Sequence, residues 1–148
     1  MKRINRISEI QVSYHPIIKK EDRISVRSSE DAEKYLRNVF PDLEHVEYFY
    51  ILCLNRANQI LGYHQISKGG ISGSVVDLKV IFQIAVKTNS SALIVAHNHP
   101  SGNLTPSDND IRISQKIKEA GKLLEITLLD SLILTQDSYV SLADTNAL

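Results

Sequence analysis

The sequence predicts a single mixed α/β domain built in layers. Three observations carry that expectation. Segments with the 3.6-residue period of a half-buried helix alternate with short apolar runs rich in β-branched and aromatic residues. No internal repeat or low-complexity stretch interrupts the alternation. The chain's 148 residues, 43% of them hydrophobic, suffice for one filled core and make a second full domain an unfavourable reading.

Residues 1–27 mix charges with scattered Ile and Val, a pattern that fits a short edge strand and a loose N-terminal arm equally well; the domain proper is placed at 28–148. "SSEDAEKYLRNVFP" then supplies a Ser cap, acids in the first turn, and Ala32, Tyr35, Leu36, Val39 and Phe40 at helical spacing before Pro41. That is an amphipathic helix. "VEYFYILCLNRANQILGYHQIS" reads as a hairpin of two apolar strands around a turn at Asn55 to Asn58, followed by a flexible loop, "KGGISGS". From Asp77 to about Thr88 the apolar positions Val80, Ile81, Ile84, Ala85 and Thr88 again follow the helical period. "ALIVAHNH" is short and apolar enough for a buried strand. A third helix is expected over "DIRISQKIKEAGKLL", with Ile113, Ile117, Ala120 and Leu124 on one face and Gly121 near its end. "EITLLDSLILTQDSYVSL" closes the chain with one or two strands.

Composition narrows the partners. Lys plus Arg equal Asp plus Glu at 17 each, so no overall cationic field draws the chain to nucleic acid or to an anionic membrane. DNA remains conceivable only through a local patch such as Lys116, Lys118 and Lys122, which also reads as a solvated helix face. No signal-like apolar core opens the sequence, and nowhere do about 18 apolar residues run together. A soluble, cytoplasmic protein with no membrane partner is the expectation. The single cysteine, Cys53, sits in "FYILCLN" as a small buried hydrophobe and excludes a disulfide framework.

The chemistry concentrates in "AHNHPSGNLTPSDND", residues 96 to 110. Side chains two apart on a strand share a face, so His97 and His99 can aim at one point while Asn98 turns away. Pro100, Gly102 and Pro106 turn the chain back so that Asp110, in the first turn of the next helix, offers a third, oxygen ligand. Two imidazoles and a carboxylate suit Zn²⁺ and leave a fourth tetrahedral position open, as catalysis requires. A base must still move protons, and Glu47, at the start of an apolar strand where its charge has to face an edge or cleft, fits that task. Ser107 is placed to donate to an oxyanion. Each part also has a plain structural reading: "SDND" is a capping box, paired histidines at a strand end are common, and Glu47 alone is an ordinary strand-edge acid. His15, His45 and His64 have no partners at ligand spacing.

Taken together, "HNHPSGNLTPSDND" resembles the JAMM (MPN+) motif, His-x-His, seven residues, Ser, two residues, Asp, which maps onto His97, His99, Ser107 and Asp110 without a gap. More narrowly the chain is similar to the RadC family, whose members carry a closely related "HNHPSG" followed by "PS" and Asp. "VEYFYILCLNRANQILG" resembles that family's glutamate-bearing strand and puts its glutamate at Glu47; "SGSVVD" and "EAGKLLEITLLD" resemble flanking segments. The likeness runs from about residue 28 to the C-terminus. It implies a three-layer JAB/MPN fold of the cytidine-deaminase-like type, zinc held by His97, His99 and Asp110, Glu47 as acid/base and Ser107 as oxyanion helper. JAMM relatives hydrolyse peptide or isopeptide bonds, so a zinc-dependent metallopeptidase acting on a peptide or protein is implied. RadC proteins also carry a historical DNA-repair label, but the helical DNA-binding region that precedes this domain in longer members is not expected here.

Two departures stand out: "DLKVIF" replaces a Pro-Arg-Glu-like stretch before the second helix, and Ser131 follows Asp130 where many members have His. The competing function is a non-catalytic module in which zinc stabilises a DNA- or protein-binding loop. Zinc deaminases are excluded because one cysteine cannot supply their Cys-x-x-Cys pair. The adjacent letters HNH do not make a nuclease of that name, whose defining residues are dispersed.

Overall fold

Tyr48–Leu54 and Ala92–Asn98 are buried at every position, the mark of strands covered on both faces. In the computed structural model, which describes residues 3–4, 7–69 and 75–148, they lie side by side within a five-stranded sheet. The elements in chain order are β1 (Arg3–Ile4), β2 (Ile7–Ser8), a 3-10 turn (Lys20–Asp22), α1 (Ser29–Arg37), β3 (Tyr48–Leu54), β4 (Ile60–Lys68), α2 (Leu78–Lys87), β5 (Ala92–Asn98), α3 (Asp108–Leu123), β6 (Thr127–Leu134) and β7 (Tyr139–Ser141). The sheet runs β4-β3-β5-β6-β7, and β5–β6 is its parallel pair. Parallel neighbours need a crossover, and α3 provides it. This is the mixed α/β architecture expected of a JAB/MPN-like domain.

Alternation along the strands sorts the core into two halves. Even positions of β3 and β5, among them Tyr48, Leu52, Ile94 and Ala96, pack with Ala32 and Leu36 of α1. Odd positions, among them Phe49, Ile51, Leu93 and Val95, pack with Ile81 and Ala85 of α2 and Ile117 of α3. The result is helix, sheet, helices in three layers.

The helix boundaries follow local chemistry. Ser28 caps α1 by accepting from the Asp31 amide, and Asp77 caps α2 by accepting from Lys79. So the "DLKVIF" departure still opens a capped helix. At the C-terminal ends of α2 and α3 the chain turns through left-handed Asn89 and Glu125, with the amide of Ser90 bonded to Ala85 O and that of Ile126 to Gly121 O. These are Schellman closures, in which the left-handed residue follows the cap.

One expectation for α3 is borne out and one is corrected. Gly121 does lie near the end of the helix, which continues to Leu123 and turns at Glu125. It lies buried within the helix because a Cβ there would sit 2.3 Å from Ile126 O. Ile113 and Ile117 pack on the core as expected, but Leu124 is 50% exposed and lies outside the buried face, which also takes in Ser114 and Gly121. Lys116, Lys118 and Lys122 are all exposed, as a solvated face requires.

Near the start of the chain, β1 and β2 form a separate two-stranded ladder. Ser25 bridges Gln59 beside the start of β4, the Ile60 amide donates to Ile24 O, and the Tyr14 hydroxyl donates to Leu61 O. Most of the loop expected at "KGGISGS", and with it the first half of "SGSVVD", lies outside the described residues, since β4 runs to Lys68 and residues 70–74 are not among them. The closing segment forms two strands, β6 and β7. Among the described residues no helix is long and apolar enough to cross a membrane.

Candidate metal centre

The C-terminal end of β5 delivers the two histidines. β5 ends at Asn98, but the His99 amide still donates to Leu134 O at 2.9 Å, so the chain stays beside β6 for one more residue. That keeps His99 on the face of His97. Their Nε2 atoms lie 3.1 Å apart.

Asp110 arrives from the other side, as the third residue of α3. Ser107 Oγ accepts from the Asp110 amide at 3.0 Å, and Asp110 Oδ2 accepts from the Ser107 amide at 2.9 Å, a complete capping box. The same carboxylate faces the histidines: Oδ1 is 3.2 Å from His97 Nε2 and Oδ2 is 3.1 Å from His99 Nε2. The capping and ligand readings of Asp110 are therefore compatible in one conformation. Bonds of about 2.0–2.2 Å would place neighbouring donors of a tetrahedral zinc ion roughly 3.4 Å apart, within a few tenths of an ångström of these separations.

Both histidine rings are fixed by their surroundings. His99 Nδ1 lies 2.6 Å from Asn103 O, and because a carbonyl only accepts, Nδ1 carries the proton and Nε2 turns its lone pair toward the cluster. His97 is 6% exposed, stacks on Phe49 with 7° between the ring planes, and has a buried Nδ1 without a hydrogen-bond partner among the described residues. Its hydrogen-bonding therefore falls entirely to Nε2. Two nitrogens and a carboxylate in mutual contact call for positive charge, either a proton or a cation.

The electrostatics show the same demand. Burial pushes the Asp110 carboxyl up, but hydrogen bonds from His97 and His99 outweigh it and hold the group far below the usual carboxylate range. His99 is raised, first by its hydrogen bond to Asp110 and also by the charge of Glu47, against burial. The donor set fits a divalent ion such as zinc.

Glu47 immediately precedes β3. It lies close enough that its carboxylate and one ring nitrogen from each histidine fall within 4.8 Å of one another. Among the described residues no hydrogen bond holds that carboxylate. Two carboxylates thus attend the histidines, Asp110 in contact and Glu47 at the edge. The five residues expected from the sequence, Glu47, His97, His99, Ser107 and Asp110, all line one open cleft of about 950 Å³, at the upper end for ligand sites.

Other cleft residues were not singled out by the sequence. His45, expected to be an ordinary histidine, lines the cleft beside Glu44. Phe49 could have been found, since it is two residues from Glu47 and shares its face by strand alternation. Ser114 also lines the cleft and donates to Ser131 Oγ at 2.9 Å, so the Ser131 departure lies directly behind the wall. Among the described lining residues there is no Lys or Arg, while Glu44, Glu47 and Asp110 are acidic.

Comparison with known proteins agrees with this geometry. Residues 26–147 match the family described as "RadC-like JAB domain". The chain is similar to a UPF0758 protein of Flavobacterium johnsoniae, 41% identical over 119 residues, covering 80% of this chain and 52% of that protein. A UPF0758 protein of Alkaliphilus metalliredigens is 38% identical over 143 residues, covering 97% of this chain and 56% of the relative. One from Listeria monocytogenes is 35% identical over 130 residues, covering 86% and 57%. The chain therefore spans about half the length of the curated relatives it matches.

Proposed function

The chain belongs to the family of RadC-like JAB domains, and from that premise we propose that it is a zinc-dependent hydrolase that cleaves a peptide or isopeptide bond in the cytoplasm. The observation that carries this is the convergence of His97 Nε2, His99 Nε2 and the Asp110 carboxylate, 3.1–3.2 Å apart in an open cleft beside Glu47. Those three side chains would hold the ion. When bound, zinc supplies Lewis-acid chemistry, polarising the scissile carbonyl and acidifying water.

The remaining work falls to the chain's own groups. Glu47, within reach of the cluster yet not bonded to it, takes a proton from the attacking water at a carboxylate oxygen and returns it to the leaving amine. Ser107 Oγ already accepts from the Asp110 amide, so its hydroxyl proton is available to a developing oxyanion. His99 is kept in one tautomer by Asn103 O. A peptide is favoured over nucleic acid because the acidic cleft repels phosphate.

The test is Glu47→Gln, incubated beside wild type with a degenerate peptide library and read by mass spectrometry. Zinc content should stay the same while cleavage falls by about 10²-fold or more. Cleavage by Glu47→Gln at the wild-type rate would remove Glu47 from the chemistry.

A further inference from the structure

Asn98 stands between the two histidines but points to the opposite face of β5, where it is 0% exposed. Its carboxamide is fully engaged. Oδ1 accepts from the Tyr48 amide at 2.7 Å, and Nδ2 donates to Leu43 O at 3.0 Å and Val46 O at 2.9 Å. A carboxamide has two N–H donors, and both are used. All three bonds go to one stretch, residues 43–48, which contains Glu47.

Leu43, Val46 and Tyr48 pack into the core, but among the described residues few other hydrogen bonds hold this stretch. Glu47 O accepts from the Gly69 amide at 2.8 Å, and β3 begins only at Tyr48. The Glu47 carboxylate has no hydrogen bond of its own among the described residues, so its place is set by its backbone. Building on the acid/base role assigned to Glu47 above, we propose that Asn98 is a positioning residue. It ties the segment bearing Glu47 to the same strand end that presents His97 and His99, so the carboxylate and the ligand cluster share one rigid reference.

The bond set explains why asparagine is required. Aspartate keeps the acceptor for Tyr48 but loses both donors and sets an anion against two carbonyls. Serine replaces both N–H donors with a single hydroxyl on a shorter side chain, without adding charge. Burial makes each lost bond costly, because Leu43 O and Val46 O then have no replacement partner.

The test uses the full chain with cobalt(II) as probe, in wild type, Asn98→Asp, Asn98→Ser, Glu47→Gln and the double variant Glu47→Gln/Asn98→Asp. Cobalt affinity should stay within about threefold of wild type in the Asn98 variants, since the ligands are untouched. Their d–d bands should change as in Glu47→Gln, and the double variant should add nothing further, as two changes on one path do. In the metal-free chain, amides of residues 44–48 should exchange about tenfold faster or more, with β6 unchanged. Unchanged exchange at 44–48, or acceleration spread evenly over the chain, would overturn the proposal. So would Asn98 variants with wild-type bands when those of Glu47→Gln move. Should wild type take up no cobalt, the metal assignment fails instead, and exchange alone decides the role of Asn98. If Asn98→Asp does not fold, the serine variant carries both measurements.

Discussion

Asp110 serves two purposes with one carboxylate. Its Oδ2 accepts from the Ser107 amide as part of the α3 cap while both oxygens face the histidines. Substitutions can separate the two. Asp110→Asn keeps a cap acceptor but loses the charge, so zinc affinity should drop at least about tenfold while the α3 cap is kept. Ser107→Ala removes the oxygen that accepts from the Asp110 amide and should cost about 1 kcal/mol of stability with zinc content intact. Calorimetric zinc titration beside thermal melts checks both; equal zinc affinity in Asp110→Asn and wild type would show that the carboxylate is not a ligand. The side-chain cluster was legible in the sequence because His97, His99, Ser107 and Asp110 lie within fourteen residues on a strand end, a turn and a helix start. Asn98 was legible only as turned away, since its partners lie 50 to 55 residues distant and no local pattern marks them.

At the scale of elements, α3 is fixed from both ends, by the capping box at Ser107 and by the left-handed turn at Glu125. Periodicity located this helix and most of its buried face but placed Leu124 on that face. Leu124 looked like part of the apolar face, yet that face is completed by Ser114 and Gly121, whose burial depends on close approach rather than hydrophobicity. Gly121→Ala should therefore destabilise the chain by about 1–3 kcal/mol, although alanine is the better helix former, because its Cβ meets a backbone carbonyl that cannot swing aside. Glu125→Gly should do the reverse and stabilise by up to about 1 kcal/mol, relieving the left-handed backbone. Urea unfolding of both variants checks the pair. A stabilised Gly121→Ala would mean the Ile126 carbonyl does not lie against the helix. The hairpin of β3 and β4 was more legible, because its two aromatic and β-branched runs and the turn at Asn55 to Asn58 are local signals.

For the whole molecule, the three layers bring a strand end, a helix start and the segment before β3 to one cleft, and pH should register that assembly. In the metal-free chain His99 is raised by Asp110, so its contribution to stability is fully present below about pH 6.5 and is lost as pH rises through its folded value. Asp110 is lowered, so its contribution is present above about pH 3.9 and is lost as pH falls toward its folded value. The pair should stabilise most between about pH 4 and 6.5. Asp130, raised by burial, acts in the opposite sense and softens the acid limb. Thermal melts in chelator should show wild type losing stability above that window and Asp110→Asn losing less; parallel curves would contradict the coupling. The central claim, that this fold gathers His97, His99 and Asp110 into a site for one divalent ion, is tested most directly by elemental analysis of the purified full chain beside His97→Ala and Asp110→Ala. About one zinc per chain in wild type and close to none in either variant is the predicted result; equal metal content in all three would contradict it.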